Sequence, residues 1–234
     1  MGANNTILVT GSRGYIGENL VEALRQKLWE VKEYDILDGK DKDILDKSTL
    51  YKEMRGCIAV YNCAAISGVV ACEKNPKHSY NVNVVGAKNV VGVAKNLNVK
   101  PILFSSQAVY GESEYGLQKS WMEKHNYKDA VILRPSNVYG GKGFYEKKKT
   151  VLVNFSRNRV LEVYGGTQRR DFIHIDKIIE NCINALTLPN GIYNVKSGEQ
   201  ISIRQLALLT SVLRGGVPIR WLREEDRYKE EEME

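Results

Sequence analysis

The chain has 234 residues, of which 43% are hydrophobic and 26% charged, and its formal net charge is +6 at pH 7. These values are typical of one large domain, or of a main domain with a small lobe, and they exclude disorder over most of the length. No apolar run approaches the roughly 20 residues needed to cross a bilayer, and residues 1–5 lack the basic and apolar regions of a signal peptide, so we expect a cytoplasmic protein without a membrane partner.

Neither the charges nor the cysteines indicate a nucleic acid or a metal. The basic residues are dispersed, and residues 230–234 form an acidic cluster. A net positive charge suits a small pyrophosphate-bearing molecule as well as a polyanion, and no nucleic-acid motif is present. We interpret the lysine run at 147–149 as a solvated face. No Cys-x-x-Cys pair occurs, so we predict neither a metal site nor a disulfide framework among the cysteines, which are Cys57, Cys63, Cys72 and Cys182.

Short apolar runs alternate with helical patterns up to Gly140. A strand at 6–10 ends at a glycine, and the apolar spacing through Leu20, Val21, Leu24 and Leu28 then predicts a helix at 18–28. Such alternation predicts a parallel sheet covered by helices on both faces, an α/β fold. The further strands are predicted at 31–35, 58–63, 101–105 and 130–133, and the further helices at 48–54, 76–97, 116–125 and 151–157.

The first strand-to-helix turn has the composition of a dinucleotide site. Gly11, Gly14 and Gly17 let the backbone approach a pyrophosphate at a helix N-terminus. Asp35, at the end of the second predicted strand, can accept hydrogen bonds from the ribose hydroxyls and repels a 2′-phosphate. Arg13 within the loop could instead pair with a 2′-phosphate. Because Asp35 would still repel that phosphate, we predict NAD.

A second motif can carry out proton chemistry. Tyr115 and Lys119 are four positions apart and share one face of a helix. An ammonium near a phenol lowers its pKa from about 10 towards neutrality, so we expect Tyr115 to act as a base. Ser106, at the end of the preceding strand, can donate to the same substrate oxygen. The alternative is a Tyr115–Lys119 pair on the helix surface without chemistry.

Beyond these two motifs the chain resembles the extended short-chain dehydrogenase/reductase family, the NAD-dependent nucleotide-sugar epimerases and dehydratases, over almost its whole length. The resemblance implies a doubly wound parallel (Rossmann) sheet with a small C-terminal α/β substrate-binding lobe. The dinucleotide-binding domain would comprise residues 1–140, with 171–188 returning to it, and the substrate-binding lobe would comprise 141–170 and 189–234. The segments that carry the resemblance are 10–17 with the TGxxGxxG pattern, Asp43-Ile44, 62–65, Asn83, 105–111, 133–140 and 170–176.

By this resemblance, the residues beside the cofactor are Gly11, Gly14, Tyr15, Ile16, Gly17, Asp35, Asp43, Ile44, Ala64, Ala65, Asn83, Tyr115 and Lys119. The resemblance implies substrate contacts by Ser106 and Asn137, and diphosphate contacts by Arg170 and, more weakly, by Arg223 in an Arg-x-x-Asp element. An alternative for Arg170 is an ion pair with Asp171. We interpret His174 as a packed or surface residue in a strand, and Tyr110 and Tyr139 as packing residues with a polar tip.

The residues after Ser106 distinguish reactions within the family. The 4,6-dehydratases have an Asp-Glu pair there, whereas this chain has Gln107-Ala108, which can neither protonate a leaving hydroxyl nor remove a proton. The reductive epimerases carry a cysteine in this segment and use NADPH. The remaining resemblance is to a 4-epimerase, in which Tyr115 takes the proton of the sugar 4-hydroxyl while NAD accepts the C4 hydride, which then returns to the other face.

Two departures from the family leave alternatives open. Tyr115 comes only nine positions after Ser106, where the family has a much longer loop. This span reaches up to about 30 Å, so the helix is reached, but a substrate-side wall is missing. The chain also lacks the helices expected after Arg223, so the sugar pocket is open, completed by a partner such as a second copy in a homodimer, or altered in specificity. A keto-sugar reductase and a non-catalytic dinucleotide-binding protein are the alternative functions.

Overall fold

The protein was analysed as a computed structural model, which describes residues 5–148 and 150–226. The acidic cluster at 230–234, most of the N-terminal segment and one lysine of the run at 147–149 lie outside the described residues. The strands are β1 (Thr6–Thr10), β2 (Glu30–Tyr34), β3 (Ala59–Asn62), β4 (Lys100–Phe104), β5 (Val131–Pro135), β6 (Asn137–Tyr139), β7 (Leu161–Tyr164), β8 (Arg169–His174), β9 (Gly191–Val195), β10 (Gln200–Ser202) and β11 (Ile219–Leu222).

Helices lie between most of these strands. They are α1 (Tyr15–Gln26), α2 (Lys47–Met54), α3 (Val69–Lys74), α4 (Pro76–Tyr80), α5 (Ala87–Asn96), α6 (Glu114–Asn126), α7 (Phe144–Lys147), α8 (Val151–Arg157), α9 (Ile175–Ala185) and α10 (Ile203–Leu213). A π-helical segment, Asn81–Gly86, joins α4 to α5, and short 3₁₀ turns occupy Gln107–Tyr110 and Glu224–Asp226.

The main sheet has six strands in the order β2-β1-β3-β4-β5-β9, and every neighbouring pair is parallel. Alternate residues of β1 face opposite sides of it. Ile7 and Val9 pack in a core with α1 and α9, whereas Leu8 packs in a core with α2 and α5. Both faces are therefore covered, which confirms the predicted doubly wound α/β fold.

The strand order reverses direction at β1. The chain passes from β1 to β2 on one side and then returns to place β3 on the other side. Ligands of such sheets bind outside the carboxyl ends of the strands at this reversal. The crevice between the ends of β1 and β3 is therefore the expected cofactor site.

Two helix predictions differ from the structure. The helix predicted at 18–28 ends at Gln26, and Leu28 lies beyond it with φ of 62° and 84% exposure. Its amide donates to Arg25, and that of Trp29 donates back to Leu24, so a tight helix end removes Leu28 from the apolar face. The helix predicted at 76–97 is present, but the π-helical segment interrupts it.

A smaller body is built on the remaining strands. β10 and β6 flank β8, and β11 pairs with β7. Its separate core consists of Phe155, Leu161, Val163, Leu206 and Ala207, from α8, β7 and α10. One strand corrects the predicted division, because β9, which falls in the range 189–234, forms the edge of the main sheet beside β5.

All cysteines are free thiols. Within the part of the chain that the structure describes, no helix combines the length and apolar character needed to cross a membrane.

Candidate active site

The glycine-rich turn brings the ends of β1 and β3 into close contact. Gly11 has φ of +65°, and a Cβ there would collide with the backbone nitrogen of Ala64 just after β3. A Cβ on Gly17 would collide with the carbonyl oxygen of Gly11. Only glycine fits these two positions, so the start of α1 lies directly against the end of β1.

The N-terminus of α1 has features that fit an anionic group. Gly14 caps the helix without a side-chain hydrogen bond to its amides. Ser12, in the same turn, is 1% exposed, and its hydroxyl has no hydrogen-bond partner among the described residues. A buried hydroxyl without a partner costs free energy unless a ligand satisfies it. The turn therefore fits the diphosphate of a dinucleotide.

Asp35 and Arg13 are arranged in a way that favours NAD over NADP. Asp35 directly follows β2, and its carboxylate accepts hydrogen bonds from the amides of Arg13 (2.9 Å) and Leu37 (3.0 Å). The guanidinium of Arg13 pairs instead with Asp38, with N···O distances of 2.7 and 2.9 Å. Because the cation is engaged by a second carboxylate, it does not offset the repulsion of a 2′-phosphate by Asp35.

Four of the other predicted cofactor residues lie at the ends of β1 and β3, and Asp43 and Ile44 lie between β2 and α2. Tyr15 and Ile16 begin α1, and Ala64 and Ala65 follow β3. Ile44 is buried, and the carboxylate of Asp43 accepts from the amide of Leu45 at 2.9 Å.

Asn83, on the π-helical segment, acts on the loop after β3. Its side chain accepts from the amide of Ile66 at 2.9 Å and donates to the carbonyl of the same residue at 3.0 Å. It also donates to Gln118 at 2.8 Å. The structure therefore gives Asn83 a positioning role between the loop and α6.

Ser106, Tyr115 and Lys119 meet at the carboxyl end of β4. The ammonium of Lys119 donates to the carbonyl of Phe104, the last residue of β4, at 2.8 Å and lies 5.9 Å from the centre of the Tyr115 ring. Ser106 starts the 3₁₀ turn after this strand, with its hydroxyl accepting from the amide of Ala108 at 3.1 Å. Because β4 is next to β3, these side chains lie beside the predicted dinucleotide crevice.

The protonation states differ from the sequence-based prediction. Burial raises the pKa of Tyr115 to about 12, and the nearby Ser106 hydroxyl only partly opposes this shift. Burial also lowers the pKa of Lys119 to about 8, against the opposing effect of the nearby thiols and of Glu123. The raised pKa of Tyr115 is opposite in direction to the lowering that the sequence predicts from the neighbouring ammonium. The ammonium lies over the ring and is bonded to a carbonyl, and burial disfavours the phenolate.

A buried ion pair that the sequence did not reveal supports the proton-transfer residues. Glu123 is 4% exposed and lies one helical turn after Lys119 on α6. Its carboxylate accepts from Arg134 of β5 at 2.5 and 2.6 Å and from Ser105 at 2.5 Å. The ion pair thus ties α6 to the ends of β4 and β5. Its members lie on different elements, α6 and β5, and show no local pattern.

Gln118 forms a second buried support and is 0% exposed. Besides accepting from Asn83, it donates to Ser79 at 2.8 Å and to Glu114 at 2.7 Å. This network connects the π-helical segment to the residue before Lys119. It had no sequence signal, because a glutamine at this spacing is equally compatible with the exposed face of a helix.

Two of the three outer substrate residues are close together. Asn137 is on β6 and Arg170 is on the adjacent strand β8. Asn137 donates to the carbonyl of Asp171 at 3.0 Å, and Arg170 is exposed. Arg223 follows β11, where its guanidinium is 83% exposed and contacts Glu225 at 3.3 Å. No contact among the described residues connects Arg223 to the other two.

The structure shows the partners of two further side chains, Asp171 and Tyr110, and excludes the alternative ion pair of Asp171 with Arg170. Asp171 does not pair with Arg170. Despite burial, hydrogen bonds from Ser136 (2.6 Å) and from the amides of Ser197 and Gly198 (2.9 and 2.8 Å) hold its pKa below the ordinary value. Tyr110 is 69% exposed, and the Arg134 guanidinium lies 5.4 Å from the centre of its ring and donates to its hydroxyl at 3.0 Å.

His174 lies at the end of β8, as predicted, with its ring against Tyr139. Tyr139 is 36% exposed.

Comparison with known proteins identifies the family. A model described as the NAD dependent epimerase/dehydratase family matches residues 7–196. The chain belongs to this family. Membership confirms the resemblance noted in the sequence, and the family's cofactor, NAD, is the one that the glycine-rich turn and Asp35 indicate.

Individual family members show the range of reactions among relatives. The UDP-glucose 4-epimerase of Vibrio cholerae is 27% identical over an alignment of 247 positions, gaps included, which covers 87% of this chain and 75% of that protein. The GDP-6-deoxy-D-talose 4-dehydrogenase of Aggregatibacter actinomycetemcomitans is 27% identical over an alignment of 235 positions, which covers 86% of this chain and 77% of that protein.

A solved structure, the UDP-N-acetylglucosamine 4-epimerase from Methanobrevibacter ruminantium M1 in complex with UDP-N-acetylmuramic acid, superposes with a TM-score of 0.80. It is 27% identical, and the match covers 94% of this chain and 86% of that one.

Proposed function

We propose that this protein is an NAD-dependent 4-epimerase of a nucleotide-diphosphate sugar. The observation that carries the proposal is the grouping of Ser106, Tyr115 and Lys119 beside the glycine-rich turn. The two residues after Ser106 are Gln107 and Ala108, so the segment contains no second acid–base pair. An oxidation and reduction at one carbon requires a single proton-transfer site. Elimination of water requires additional groups that this turn does not contain.

The chain's own residues would divide the chemistry as follows. NAD, when bound, would accept a hydride from C4 of the sugar and return it, and its positive nicotinamide ring would favour ionisation of a nearby phenol. Tyr115 would take the proton of the 4-hydroxyl and give it back. Ser106 would donate a hydrogen bond to the same oxygen, and Lys119 would hold the positive charge next to the phenol.

We further propose that the smaller body binds the nucleotide diphosphate. Asn137 and Arg170, on neighbouring strands, would hold this group while the oxidised sugar rotates to present its other face between the two hydride transfers. Arg223 would be a third member of this group, since its neighbour Glu224 accepts a hydrogen bond from Gln168, the residue just before β8. A second copy of the chain is an alternative source of the remaining pocket wall.

Conversion of UDP-, GDP- and dTDP-hexoses to their C4 epimers would test this function. Tyr115→Phe should abolish the conversion and leave NAD binding intact, because it removes the proton-transfer oxygen and keeps the ring. Tyr127→Phe is a matched control on an exposed tyrosine beyond the end of the same helix, and it should retain parental activity. Equal turnover by the parent and by Tyr115→Phe would show that Tyr115 is not the base.

A C4 oxidoreductase with net turnover is the second candidate, favoured by the 27% identity to a GDP-6-deoxy-D-talose 4-dehydrogenase. Stoichiometric consumption of added NAD(P)H with a keto-sugar, without formation of a C4 epimer, would establish it. NAD binding without turnover of any sugar nucleotide would instead support a non-catalytic dinucleotide-binding protein.

A further inference from the structure

A segment from the smaller body crosses the start of α1. Residues 140–148, here named the strap, run from the end of β6 to just before α8. The hydroxyl of Tyr15 donates to the carbonyl of Gly140 at 2.7 Å, and Asn19 exchanges hydrogen bonds with the backbone of Lys142 at 2.9 and 3.1 Å. The Phe144 ring packs 5.9 Å from the Tyr15 ring. These contacts fix the strap against the first turns of α1.

The lysines of the strap have different partners. Lys142 pairs with Glu18 at 3.1 Å, and Lys147 pairs with the same carboxylate and donates to the carbonyl of Arg13. Lys148 has no acidic partner among the described residues. Its ammonium lies 5.0 Å from the centre of the Tyr15 ring, the first residue of α1. Burial lowers the pKa of Lys148, and no neighbouring charge opposes that shift.

Three features of this surface lack a negative partner. Lys148 is a partly desolvated cation over Tyr15, the N-terminus of α1 has no side-chain cap, and the Ser12 hydroxyl is buried without a hydrogen-bond acceptor or donor. A cation and a hydroxyl in such surroundings lose hydration free energy that a bound anion would restore. A diphosphate supplies the negative charge and the acceptor oxygens that all three features lack.

We propose that Lys148 and Ser12 bind the diphosphate of the dinucleotide cofactor, so that the strap and the glycine-rich turn both contact NAD. The inference rests on the cofactor of the family and does not depend on which sugar reaction the protein catalyses. It also links the smaller body to cofactor retention, because the strap begins directly after β6.

Binding of NAD, ADP and adenosine to the parent and to Lys148→Met, measured by isothermal titration calorimetry at low salt, tests the proposal. Methionine keeps an unbranched apolar side chain and removes the charge. We expect Kd for NAD and for ADP to rise about tenfold, as for loss of one charge-assisted hydrogen bond, and Kd for adenosine to stay unchanged. Lys148→Arg should restore most of the affinity, and the difference between parent and Lys148→Met should shrink at high salt.

Lys128→Met is the matched control. The ammonium of Lys128 lies 5.7 Å from the centre of the Tyr127 ring, so it forms the same kind of pair on an exposed surface beyond α6. The Lys128→Met variant should bind NAD, ADP and adenosine with parental affinity.

Ser12→Ala gives an independent readout of opposite sign. It removes a buried hydroxyl that has no partner in the ligand-free protein. We therefore expect an equal or higher Tm without ligand and a smaller Tm increase on addition of NAD.

Several outcomes would overturn the proposal. Parental NAD affinity in Lys148→Met would show that the lysine does not contact the diphosphate. Equal weakening of ADP and adenosine would indicate a structural role, and weaker UDP binding with unchanged NAD binding would assign Lys148 to the substrate. None of these measurements requires turnover, so failure of the epimerase proposal would be seen separately.

Discussion

At the scale of single residues, the main feature of the site is an unusual burial of charge. Lys119 is 5% exposed, and burial lowers its pKa to about 8. In the unfolded chain its pKa is about 10.4. Between these values the unfolded chain binds more protons than the folded protein, so this lysine makes stability rise with pH across that interval.

We therefore predict that the parent gains stability relative to Lys119→Met as the pH rises from about 8 to about 10.4. Below this window both states carry the ammonium, and its burial costs the parent a constant amount. Urea unfolding of both proteins at several pH values measures the difference, in which other ionising groups cancel. A difference that does not change with pH would mean that the pKa of Lys119 is not depressed.

Glu123 and Arg134 form the other charged feature at this scale, with side chains 6% and 18% exposed. Glu123→Gln leaves the guanidinium without its counter-ion, and we predict a loss of about 3 kcal/mol in the free energy of unfolding. The double variant Glu123→Gln with Arg134→Met removes both charges and should recover part of this loss. Denaturant unfolding of the parent, of Glu123→Gln, of Arg134→Met and of the double variant forms a double-mutant cycle, and additive losses would show that the two residues do not interact.

At the scale of elements, the contact between β1 and α1 sets the geometry of the cofactor turn. Gly17→Ala places a methyl group against the Gly11 carbonyl. We predict a loss of about 2 kcal/mol in unfolding free energy, as for overpacking of a tight contact, and weaker NAD binding. Calorimetric NAD titration and thermal unfolding measure the two effects.

Gly92→Ala is the matched control for Gly17. Gly92 lies inside α5, is exposed and has open space around its Cβ position. Because alanine favours helix over glycine, this change should stabilise the protein by up to about 1 kcal/mol and leave NAD binding unchanged. If both substitutions had the same effect, the contact at Gly17 would not determine the turn.

The π-helical segment is the element that the sequence pattern concealed. Its apolar spacing continues through α4 and α5, so periodicity predicts one uninterrupted helix at 76–97. In the π-helical segment the side chain of Asn83 points inward and forms hydrogen bonds with both Ile66 and Gln118. Single π-helical turns occur frequently at functional sites. Here the π-helical segment connects the loop after β3 with the helix that carries Tyr115 and Lys119.

At the scale of the whole molecule, the smaller body has few buried contacts of its own. Its separate core holds Phe155, Leu161, Val163, Leu206 and Ala207, whereas the largest core of the main sheet is built from α1, α9 and several strands. We predict that the free energy of the opening that exposes the amides of β7 and β11 to exchange is lower by at least about 2 kcal/mol than the corresponding free energy for β1 and β3. Hydrogen exchange with mass spectrometry measures this, and uniform protection would show that the two bodies unfold as one.

The sequence predicted the sheet because β1, β3, β4 and β5 are short apolar runs separated by helical patterns. It also predicted the grouping of Ser106, Tyr115 and Lys119, since neighbouring strand ends and a four-residue helical spacing bring them together. It did not predict the pKa of Tyr115, because burial depends on packing by distant segments. The Glu123–Arg134 pair and the bonds of Asp171 to the turn at 197–198 were not predicted either, because they join side chains of different elements without a periodic spacing.

The placement of β9 has a consequence for engineering. Because the chain leaves the main sheet after β5, returns as α9 and β9, and leaves again at β10, the smaller body is assembled from separate stretches of sequence. Exchanging it for that of another family member by one contiguous graft would remove an edge strand along with it. A functional chimera would need several junctions, at the borders of each stretch. If β6 and β8 bind the substrate as proposed, single substitutions on these strands are a simpler way to alter specificity than transplanting a block.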